Sequence, residues 1–464
     1  MMNFYFVSIF TVLTIVYLYL GYVASKRIST LKDYFLAGKN LGLMSLVATL
    51  VATQLGSGTL LGIAQKSYEV GFYGIIYALG ISLGFIILSM GFASRMQSLN
   101  VATTAELFET RYGSVTLKQI ASILSIITLC GILIGQIVAS REFIFGVFQS
   151  QSMGTEAIFL LFWVFIIAYT ILGGLEAVVI TDVFQLYYII IVFSGIFVYA
   201  LWQDPVSFFS SSNMMNVQAK FNITYSELAT FLPTLIAPAL FSLIEQDLAQ
   251  RFFSARTKSI AASSAIISSV FMILFAVIPI YFGMQAKLLK LTIPAGSNPL
   301  IPSLQYYAGN FFFALLICGL IAAITSTADS LLCAVSSNVA QDFKLSFMGN
   351  KQSILRSQWI TLVVGVSMLL LSYFINAGII DILISSYSIS ISTLFVPLVI
   401  CYFKSDVKKS AAWASVITGG LSQIFFWFYP IFLAEFYILG FALIAFIIGS
   451  YSEKNNKTAP INQS

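Results

Sequence analysis

The sequence contains no histidine and few charged residues. Of its 464 residues none is histidine, and only 9% are Asp, Glu, Lys or Arg. A soluble domain carries about 25% charged residues, so this chain cannot cover a soluble surface. Without histidine it cannot form a His-ligated metal site, a Ser-His-Asp nucleophile or a histidine proton relay. Its four widely spaced cysteines predict neither metal ligands nor a disulfide framework. We therefore do not expect an enzyme.

Hydrophobic residues make up 59% of the chain and fall into long, uniform runs. Runs of about 20 apolar residues are long enough to cross a hydrocarbon core of roughly 30 Å. In lipid the backbone must be helical or form a closed barrel, and uniform runs favour helices over the alternation of a barrel. We predict an all-α polytopic membrane protein with about 13 transmembrane helices. The predicted spans are 3–22, 42–65, 70–93, 117–147, 156–172, 177–201, 226–248, 259–285, 309–340, 355–375, 378–402, 410–428 and 432–451.

Lysines and arginines predict the orientation of these spans. With the N-terminus outside, 18 of the 23 lysines and arginines fall in cytoplasmic segments, as the positive-inside rule requires. Lys26 and Arg27 follow the first span and no basic residue precedes it, which is the reverse of a signal peptide. We expect a retained first helix with its N-terminus outside and a cytoplasmic C-terminus. The net charge of +5 then reflects topology and not nucleic-acid binding.

Two predicted spans contain residues that interrupt helices. The second reads LVATLVATQLGSGTLLG, with Gly56 and Gly58 beside several polar side chains. Glycine in a helix interior costs about 1 kcal/mol relative to alanine. The seventh span contains Pro233 and Pro238, and each proline removes a backbone hydrogen bond. Interrupted spans five apart favour an inverted repeat of five helices with a site at the membrane midplane. The alternative is a face of small residues that serves helix packing.

A run of small polar residues, ITSTADSLLCAVSSNVAQDF, follows an apolar segment in the ninth span. Ala323, Ser326, Thr327 and Ser330 are spaced at i, i+3, i+4 and i+7, so they share one helix face, with Asp329 at its edge. Hard cations prefer oxygen ligands, and free carbonyls of the broken second span can add to these hydroxyls. This pattern predicts a monovalent cation site. In the alternative interpretation the hydroxyls bond to carbonyls of their own helix and hold helices together.

Acidic residues occur inside the seventh span. Glu245 lies within it and Asp247 lies near its inner end. A carboxylate at the centre of a span costs at least ~2.5–3.5 kcal/mol. We therefore expect Glu245 to face protein or a cavity. The alternative is that Glu245 lies nearer the interface and pairs with Arg251.

Several segments resemble the sodium:solute symporter family. GGLEAVVITDVFQ (173–185) resembles the family's Gly-Gly…Thr-Asp…Gln signature, and STADSLLCAVSSNVAQD (326–342) resembles its second hallmark helix. DYFLAGKNLG (33–42) and EQDLAQRFFSAR (245–256) are similar to family segments as well. The resemblance covers most of the chain, and the proline and pantothenate carriers of the family are the most similar in length and signature.

The resemblance implies the LeuT fold, with two inverted five-helix repeats. It implies an extra N-terminal helix at 1–25, a first repeat at 42–201, an inverted second repeat at 226–402, two C-terminal helices at 410–451 and a cytoplasmic tail at 452–464. It further implies a symporter that imports a small polar organic solute by alternating access, such as proline or another amino acid, or a vitamin or organic acid. We expect Na⁺ as the coupling ion, no nucleic-acid partner, and a monomer in the bacterial cytoplasmic (inner) membrane.

The resemblance also implies binding residues. The sodium site would use carbonyls of Thr53, Gly56 and Ala323 and hydroxyls of Ser326 and Thr327. A second sodium site or a sodium exit path would use Asp182, Asp329 and Ser330, although relatives with a second site carry serine in place of Asp329. The implied solute-binding residues are Gln54, Thr59, Gln136, Glu245, Ser385, Tyr387 and Ser388. The acid at 245 favours an amine-bearing solute through a charge-assisted hydrogen bond.

Two other functions are compatible with these residues. One is a proton-coupled transporter of the same fold, in which Asp182, Asp329 or Glu245 titrates. The other is a membrane sensor that has kept a transporter fold. The tail SEKNNKTAPINQS is short and polar, which favours a transporter over a sensor.

Overall fold

The computed structural model describes residues 2–26, 28–148, 152–203, 231–294, 297–343, 354–375 and 377–452. The predicted tail beyond residue 452 and the start of the predicted seventh span at 226–230 lie outside this part of the chain. The helices are α1 (Met2–Ser25), α2 (Leu31–Leu36), α3 (Leu43–Gln54), α4 (Ile63–Val70), α5 (Ile76–Ile87), α6 (Ala93–Ser98), α7 (Glu106–Tyr112), α8 (Val115–Phe148), α9 (Met153–Gln203), α10 (Leu232–Phe241), α11 (Gln246–Ser254), α12 (Lys258–Leu288), α13 (Leu300–Tyr307), α14 (Asn310–Asp342), α15 (Ile354–Ser372), α16 (Ile379–Phe403), α17 (Lys409–Phe428) and α18 (Ala434–Ser452).

Eleven helical stretches of the described residues are long and apolar enough to cross a membrane. The prediction of an all-α polytopic membrane protein is therefore confirmed. The predicted second and seventh spans are not among the eleven, because each is divided into shorter helices. The second begins with α3, which is only 12 residues long, and the described part of the seventh consists of α10 and α11.

The first break lies directly after α3. The helix ends at Gln54, Leu55 has a non-helical ψ of 17°, and the chain resumes as a π-helical turn at Gly58–Gly62 that leads into α4. The second break lies between α10, which contains Pro238, and α11. Glu245 forms this break in an extended conformation (φ −62°, ψ 127°) and caps α11. The first break coincides with Gly56 and Gly58, whereas the second lies at residues 242–245, after Pro233 and Pro238, which are both inside α10.

Helix α9 is one run of 51 residues with a sharp break at Gly174. Gly174 has φ 49° and ψ −148°, a left-handed φ that glycine adopts at little cost. A side chain there would also collide with the backbone of Tyr34. The break separates two candidate spans, Met153–Ile171 and Gly174–Gln203.

The hydroxyl-rich helix α14 lies at the centre of the molecule. It packs against α1, α3, α8, α9 and α15, and its residues from Leu316 to Asn338 are buried. Helix α16 packs against α8 and α10. A parallel bridge between Leu41 and Ala255 joins the start of α3 to the end of α11. The two broken segments therefore meet beside the buried polar face of α14.

Candidate functional site

Oxygen atoms of α3 and α14 converge at the first break. The Ser326 hydroxyl lies 2.8 Å from the carbonyl oxygen of Ala52, and the Thr327 hydroxyl lies 2.8 Å from that of Thr53. Both hydroxyls also contact the Ala323 carbonyl, at 3.0 and 3.2 Å. All five residues are buried. We call these three carbonyl and two hydroxyl oxygens the oxygen cluster.

The end of α3 explains why its carbonyls are available. The last four carbonyls of a helix have no partner within the helix, and they carry the negative end of the helix dipole. Because α3 ends at Gln54, the Thr53 carbonyl belongs to this group, whereas the Ala52 carbonyl also accepts from the Leu55 N–H at 3.3 Å. Neutral oxygens at the negative end of a helix suit a small monovalent cation. Oxygen ligands of this kind are those that hard cations prefer; in the structure the two hydroxyls donate to the three carbonyls, so the same contacts also hold α14 against α3.

Gly56 and Gln136 allow the break to lie close against α14 and α8. A Cβ atom on Gly56 would collide with the Thr327 hydroxyl and lie 3.0 Å from Oε1 of Gln136. Gln136 Oε1 accepts a hydrogen bond of 2.9 Å from the backbone N–H of Ser57, where the helix resumes. Gly56 thus permits the close approach, and Gln136 satisfies a backbone donor that the break exposes. The Gly56 carbonyl itself accepts from the Leu60 N–H at 3.2 Å, and so faces along its own helix.

A small cavity of about 20 Å³ lies beside the oxygen cluster, which is room for about one water molecule. Both breaks, α5, α8, α14 and α16 contribute to its lining. The lining residues are Thr53, Gln54, Gly56, Gly58, Thr59, Tyr77, Ile132, Gln136, Glu245, Asp247, Thr327, Leu331, Leu383 and Tyr387. The cavity thus brings together five of the seven predicted solute-binding residues: Gln54, Thr59, Gln136, Glu245 and Tyr387.

Polar and aromatic contacts close this cavity. Gln54 Nε2 donates to Glu245 Oε2 at 3.4 Å, which joins the two breaks. The Tyr77 and Tyr387 hydroxyls lie 3.0 Å apart. The Tyr387 ring stacks on Phe241 with centroids 4.6 Å apart and an interplanar angle of 15°. A solute larger than water can enter only when these side chains move.

Ser385 and Ser388 do not line the cavity. Ser385 is exposed, and the Ser388 hydroxyl donates to the Ile384 carbonyl of its own helix at 3.0 Å. At about 100° per residue, neither serine can share the direction of Tyr387. The serines of the SSYS segment therefore point to different sides of α16. The family resemblance had assigned Ser385, Tyr387 and Ser388 together to solute binding, without regard to the side of the helix on which each lies.

A buried arginine lies at the core of the second predicted cluster. The Arg251 side chain is fully buried and forms an ion pair of 3.4 Å with Asp182. It donates to the Thr49 hydroxyl at 2.9 Å and the Ser330 hydroxyl at 2.5 Å. Thr49 in turn donates to Asp182 Oδ2 at 2.5 Å. The carboxylate partner of Arg251 is thus Asp182, and not Glu245 as the alternative interpretation of the seventh span proposed.

Asp329 faces a different partner. Its Oδ2 accepts a hydrogen bond of 2.5 Å from the Tyr169 hydroxyl on α9, and its Oδ1 lies 3.4 Å from the Ser330 hydroxyl. Asp329 is fully buried. It therefore borders the Arg251 cluster from the side of α9 without a hydrogen bond to the guanidinium.

Several site residues were absent from the sequence predictions. These are Ala52, Thr49, Tyr77, Tyr169 and Asp247, with Arg251 considered only as a partner of Glu245. Asp247 is the most informative, because it lines the cavity and its carboxyl lies within hydrogen-bond reach of the Glu245 carboxyl. In the sequence, only its position two residues after Glu245 indicated that Asp247 could belong to the site. Nothing in the sequence indicated the Ala52 carbonyl, because every residue has a backbone carbonyl and the residue type does not show which of them faces a site.

Two solved structures share the architecture of this chain. A Na⁺-coupled sialic acid symporter in a substrate-bound, outward-open state matches with a TM-score of 0.76 at 18% identity, over 98% of this chain and 99% of that one. A nucleobase-cation-symport-1 family transporter, in a closed conformation with bromovinylhydantoin bound, matches with a TM-score of 0.60 at 12% identity, over 90% and 93% of the two chains. At these identities the likeness establishes a shared fold.

The family is established by the sequence profile that matches residues 34–419, described as that of the sodium:solute symporter family. This range includes both breaks, the oxygen cluster and the Arg251 cluster, and it covers most of the 464 residues. Na⁺ is accordingly the coupling ion, and the chain is a multi-pass membrane transporter. The protein belongs to the sodium:solute symporter family.

Proposed function

We propose that the protein imports a small, amine-bearing polar solute together with Na⁺, by alternating access in a LeuT fold. The observation that carries the proposal is the oxygen cluster, in which Ser326 and Thr327 of α14 meet the carbonyls at the end of α3. Na⁺ bound there takes ligands from both helices and stabilises their association. The ion thereby favours the arrangement in which the solute cavity is formed, as coupling requires.

The helix count supports the LeuT fold as part of this proposal. With the two divided spans, the eleven long helices make up the 13 spans that we expect, and the divided spans are five positions apart. Divided helices near the midplane are typical of transporters with inverted repeats. We further propose a monomer in the bacterial cytoplasmic membrane, with the N-terminus outside.

The charge of the cavity favours an amine-bearing solute. Two carboxylates, Glu245 and Asp247, line it, and no lysine or arginine is among the lining residues in the described part of the chain. Arg251, one turn after Asp247, is not among the lining residues: its Nη1 donates to the Asp247 backbone carbonyl, and its other nitrogens contact Thr49, Asp182 and Ser330. Two buried carboxyls that face each other are costly without a positive partner, and an ammonium group offers both charge and donors. A solute that carries only a carboxylate would meet repulsion there.

A second, wider depression gives the solute a route to this cavity. It measures about 360 Å³ and includes three acids, Glu69, Glu142 and Asp381, together with Lys66. Lys66 belongs to a segment that the charge distribution places outside. Gly58 packs closely against Leu383, and both line the cavity, whereas Gly62 packs closely against Ile380, and both line the depression. We propose that α4 and α16 form the outer gate, which opens when these contacts part.

The sodium gradient can drive substantial accumulation. One positive charge that moves inward across 100 mV releases about 2.3 kcal/mol, and a tenfold Na⁺ gradient adds about 1.4 kcal/mol. At one Na⁺ per turnover, the two terms can concentrate a zwitterionic solute roughly 500-fold.

The sodium site is tested by thermal stability of the purified protein in NaCl and KCl at equal ionic strength. Na⁺ should stabilise the wild type by about 2.7 kcal/mol at 100 times its Kd, and the Ser326→Ala/Thr327→Ala variant should show no Na⁺ effect. The matched control is Ser336→Ala/Ser337→Ala, an adjacent buried pair on the same helix outside the oxygen cluster. Equal stabilisation by both salts, or a Na⁺ effect that persists in the first variant, would contradict the site.

The solute class is tested in the same assay at saturating Na⁺. Amino acids such as proline should add stabilisation, and Glu245→Gln should abolish the addition while Na⁺ stabilisation remains. Uptake into proteoliposomes then separates a transporter from a sensor, since a sensor binds solute without flux. Stabilisation by amine-free carboxylates alone would contradict the proposed class.

A further inference from the structure

Arg251 is placed unlike any other cation among the described residues. It is fully buried beside the midplane face of α14, and each of its three nitrogens makes a contact. Nε donates to Thr49, Nη1 to the Asp247 carbonyl at 3.0 Å, and Nη2 to Ser330 and Asp182. An arginine side chain remains protonated in proteins. The charge of Arg251 is thus a permanent part of the protein interior.

The acceptors of Arg251 coincide with the oxygens implied for a second sodium site. Asp182 and Ser330 belong to that set, and both contact Nη2. The Ser330 hydroxyl also lies 3.0 Å from that of Thr53, whose carbonyl is in the oxygen cluster. The guanidinium therefore occupies the space between Asp182 and α14 in which a second Na⁺ would find its ligands.

Of the buried acids around Arg251 in the described part of the chain, Asp182 is the one that forms an ion pair with it. Asp182 pairs with Arg251, and Asp329 lies next to Ser330 with its other oxygen held by Tyr169. A Na⁺ ion between Asp182 and Ser330 would stand within a few Å of the guanidinium. Two like charges at that separation repel strongly in a region from which water is excluded.

We propose that the Arg251 guanidinium replaces the second sodium ion, so that the protein binds a single Na⁺ at the oxygen cluster. The guanidinium joins α11 to α3, α9 and α14 through the acceptors that a second ion would otherwise join. Arg251 thereby sets the number of ions bound. The statement that one Na⁺ remains rests on the proposed sodium site, whereas the replacement by Arg251 can be tested separately.

The test is equilibrium binding of radioactive Na⁺ to the purified full-length chain, at constant ionic strength with KCl. The wild type should bind one ion per chain. Arg251→Lys keeps a cation and should also bind one. Arg251→Gln removes the ion pair at Asp182 Oδ2 and leaves Oδ1, which has no hydrogen-bond partner in the described part of the chain, so this variant should bind two. The matched control is Arg356→Gln, a second buried arginine outside this cluster, which should leave the number at one.

Each outcome decides the proposal. Two ions in the wild type, or no gain in a folded Arg251→Gln protein, would overturn it. If Arg251→Gln does not fold, one ion in both the wild type and Arg251→Lys still supports it. If the wild type binds none but Arg251→Gln binds one, the role of Arg251 stands and the oxygen cluster fails as a sodium site. Loss of one ion in Ser326→Ala/Thr327→Ala identifies the oxygen cluster independently.

Discussion

At the scale of single residues, Gly56 decides how closely α14 can approach the first break. Its missing side chain leaves the space that the Thr327 hydroxyl and Gln136 Oε1 occupy. Thr327 can then reach the Thr53 carbonyl at 2.8 Å. Two oxygen-bearing groups from different helices thus meet because a third residue between them has no Cβ.

Gly56→Ala should weaken Na⁺ binding about tenfold or more, equivalent to at least about 1.4 kcal/mol. The added methyl group must displace Thr327 or Gln136, and overpacking of this kind costs typically about 1–3 kcal/mol. The measurement is the Na⁺ concentration for half-maximal thermal stabilisation. Gly21→Ala is the control, since nothing lies within 4 Å of a Cβ at that position. If the Na⁺ concentration for half-maximal stabilisation is unchanged in Gly56→Ala, Gly56 does not contribute to the sodium site.

At the scale of elements, broken helices organise the molecule. Interruptions after α3 and between α10 and α11 direct backbone and side-chain groups into one cavity. The break at Gly174 acts differently, because it turns one continuous helix into two spans. Breaks at the midplane build the site, whereas the break in α9 positions Tyr169 before it and Asp182 after it.

Gly174→Ala should destabilise the protein by about 1–3 kcal/mol, since its φ of 49° strains an L-residue and the new methyl would meet the Tyr34 backbone. Gly195→Ala, on the same helix but with nothing within 4 Å, should change stability by no more than about 1 kcal/mol and in the stabilising direction. Thermal unfolding in detergent at fixed Na⁺ compares the two. Equal effects would show that the turn does not depend on glycine.

At the scale of the whole molecule, the charge distribution and the helix count predict one orientation. An odd number of spans places the two termini on opposite sides of the membrane. The 18 of 23 lysines and arginines assigned to cytoplasmic segments place the N-terminus outside. In this predicted orientation the wide acidic depression faces the exterior, the side from which we propose that Na⁺ and solute enter.

Cysteine labelling of intact cells tests this orientation. Lys290 and Ser405 are exposed positions in connections on opposite predicted sides. A membrane-impermeant maleimide should label Lys290→Cys, and it should label Ser405→Cys only after the cells are made permeable. The native cysteines give little background, because three are buried and Cys130 is half-buried. Labelling of Ser405→Cys in intact cells, and of Lys290→Cys only after permeabilisation, would show that the topology is the opposite of the predicted one.

The sequence by itself determined the membrane class, the family and which two spans are broken. It located the first break at Gly56 and Gly58, but the second lies beyond the two prolines, at residues 242–245. Hydrophobic runs, glycines and prolines act locally, so their consequences can be read from neighbouring residues. The helical spacing of Ala323, Ser326 and Thr327 likewise placed them on one face before any partner was known.

Only the tertiary structure decided which groups meet across helices. Arg251 pairs with Asp182, 69 residues away in sequence, and Asp329 pairs with Tyr169 across 160 residues. The same structure turns Ser385 to the exterior while Tyr387 faces the cavity. These choices depend on the packing of α3, α9, α11, α14 and α16 around one another. Because a side chain selects its partner by distance in space, no local pattern could assign the cation that lies beside Asp182.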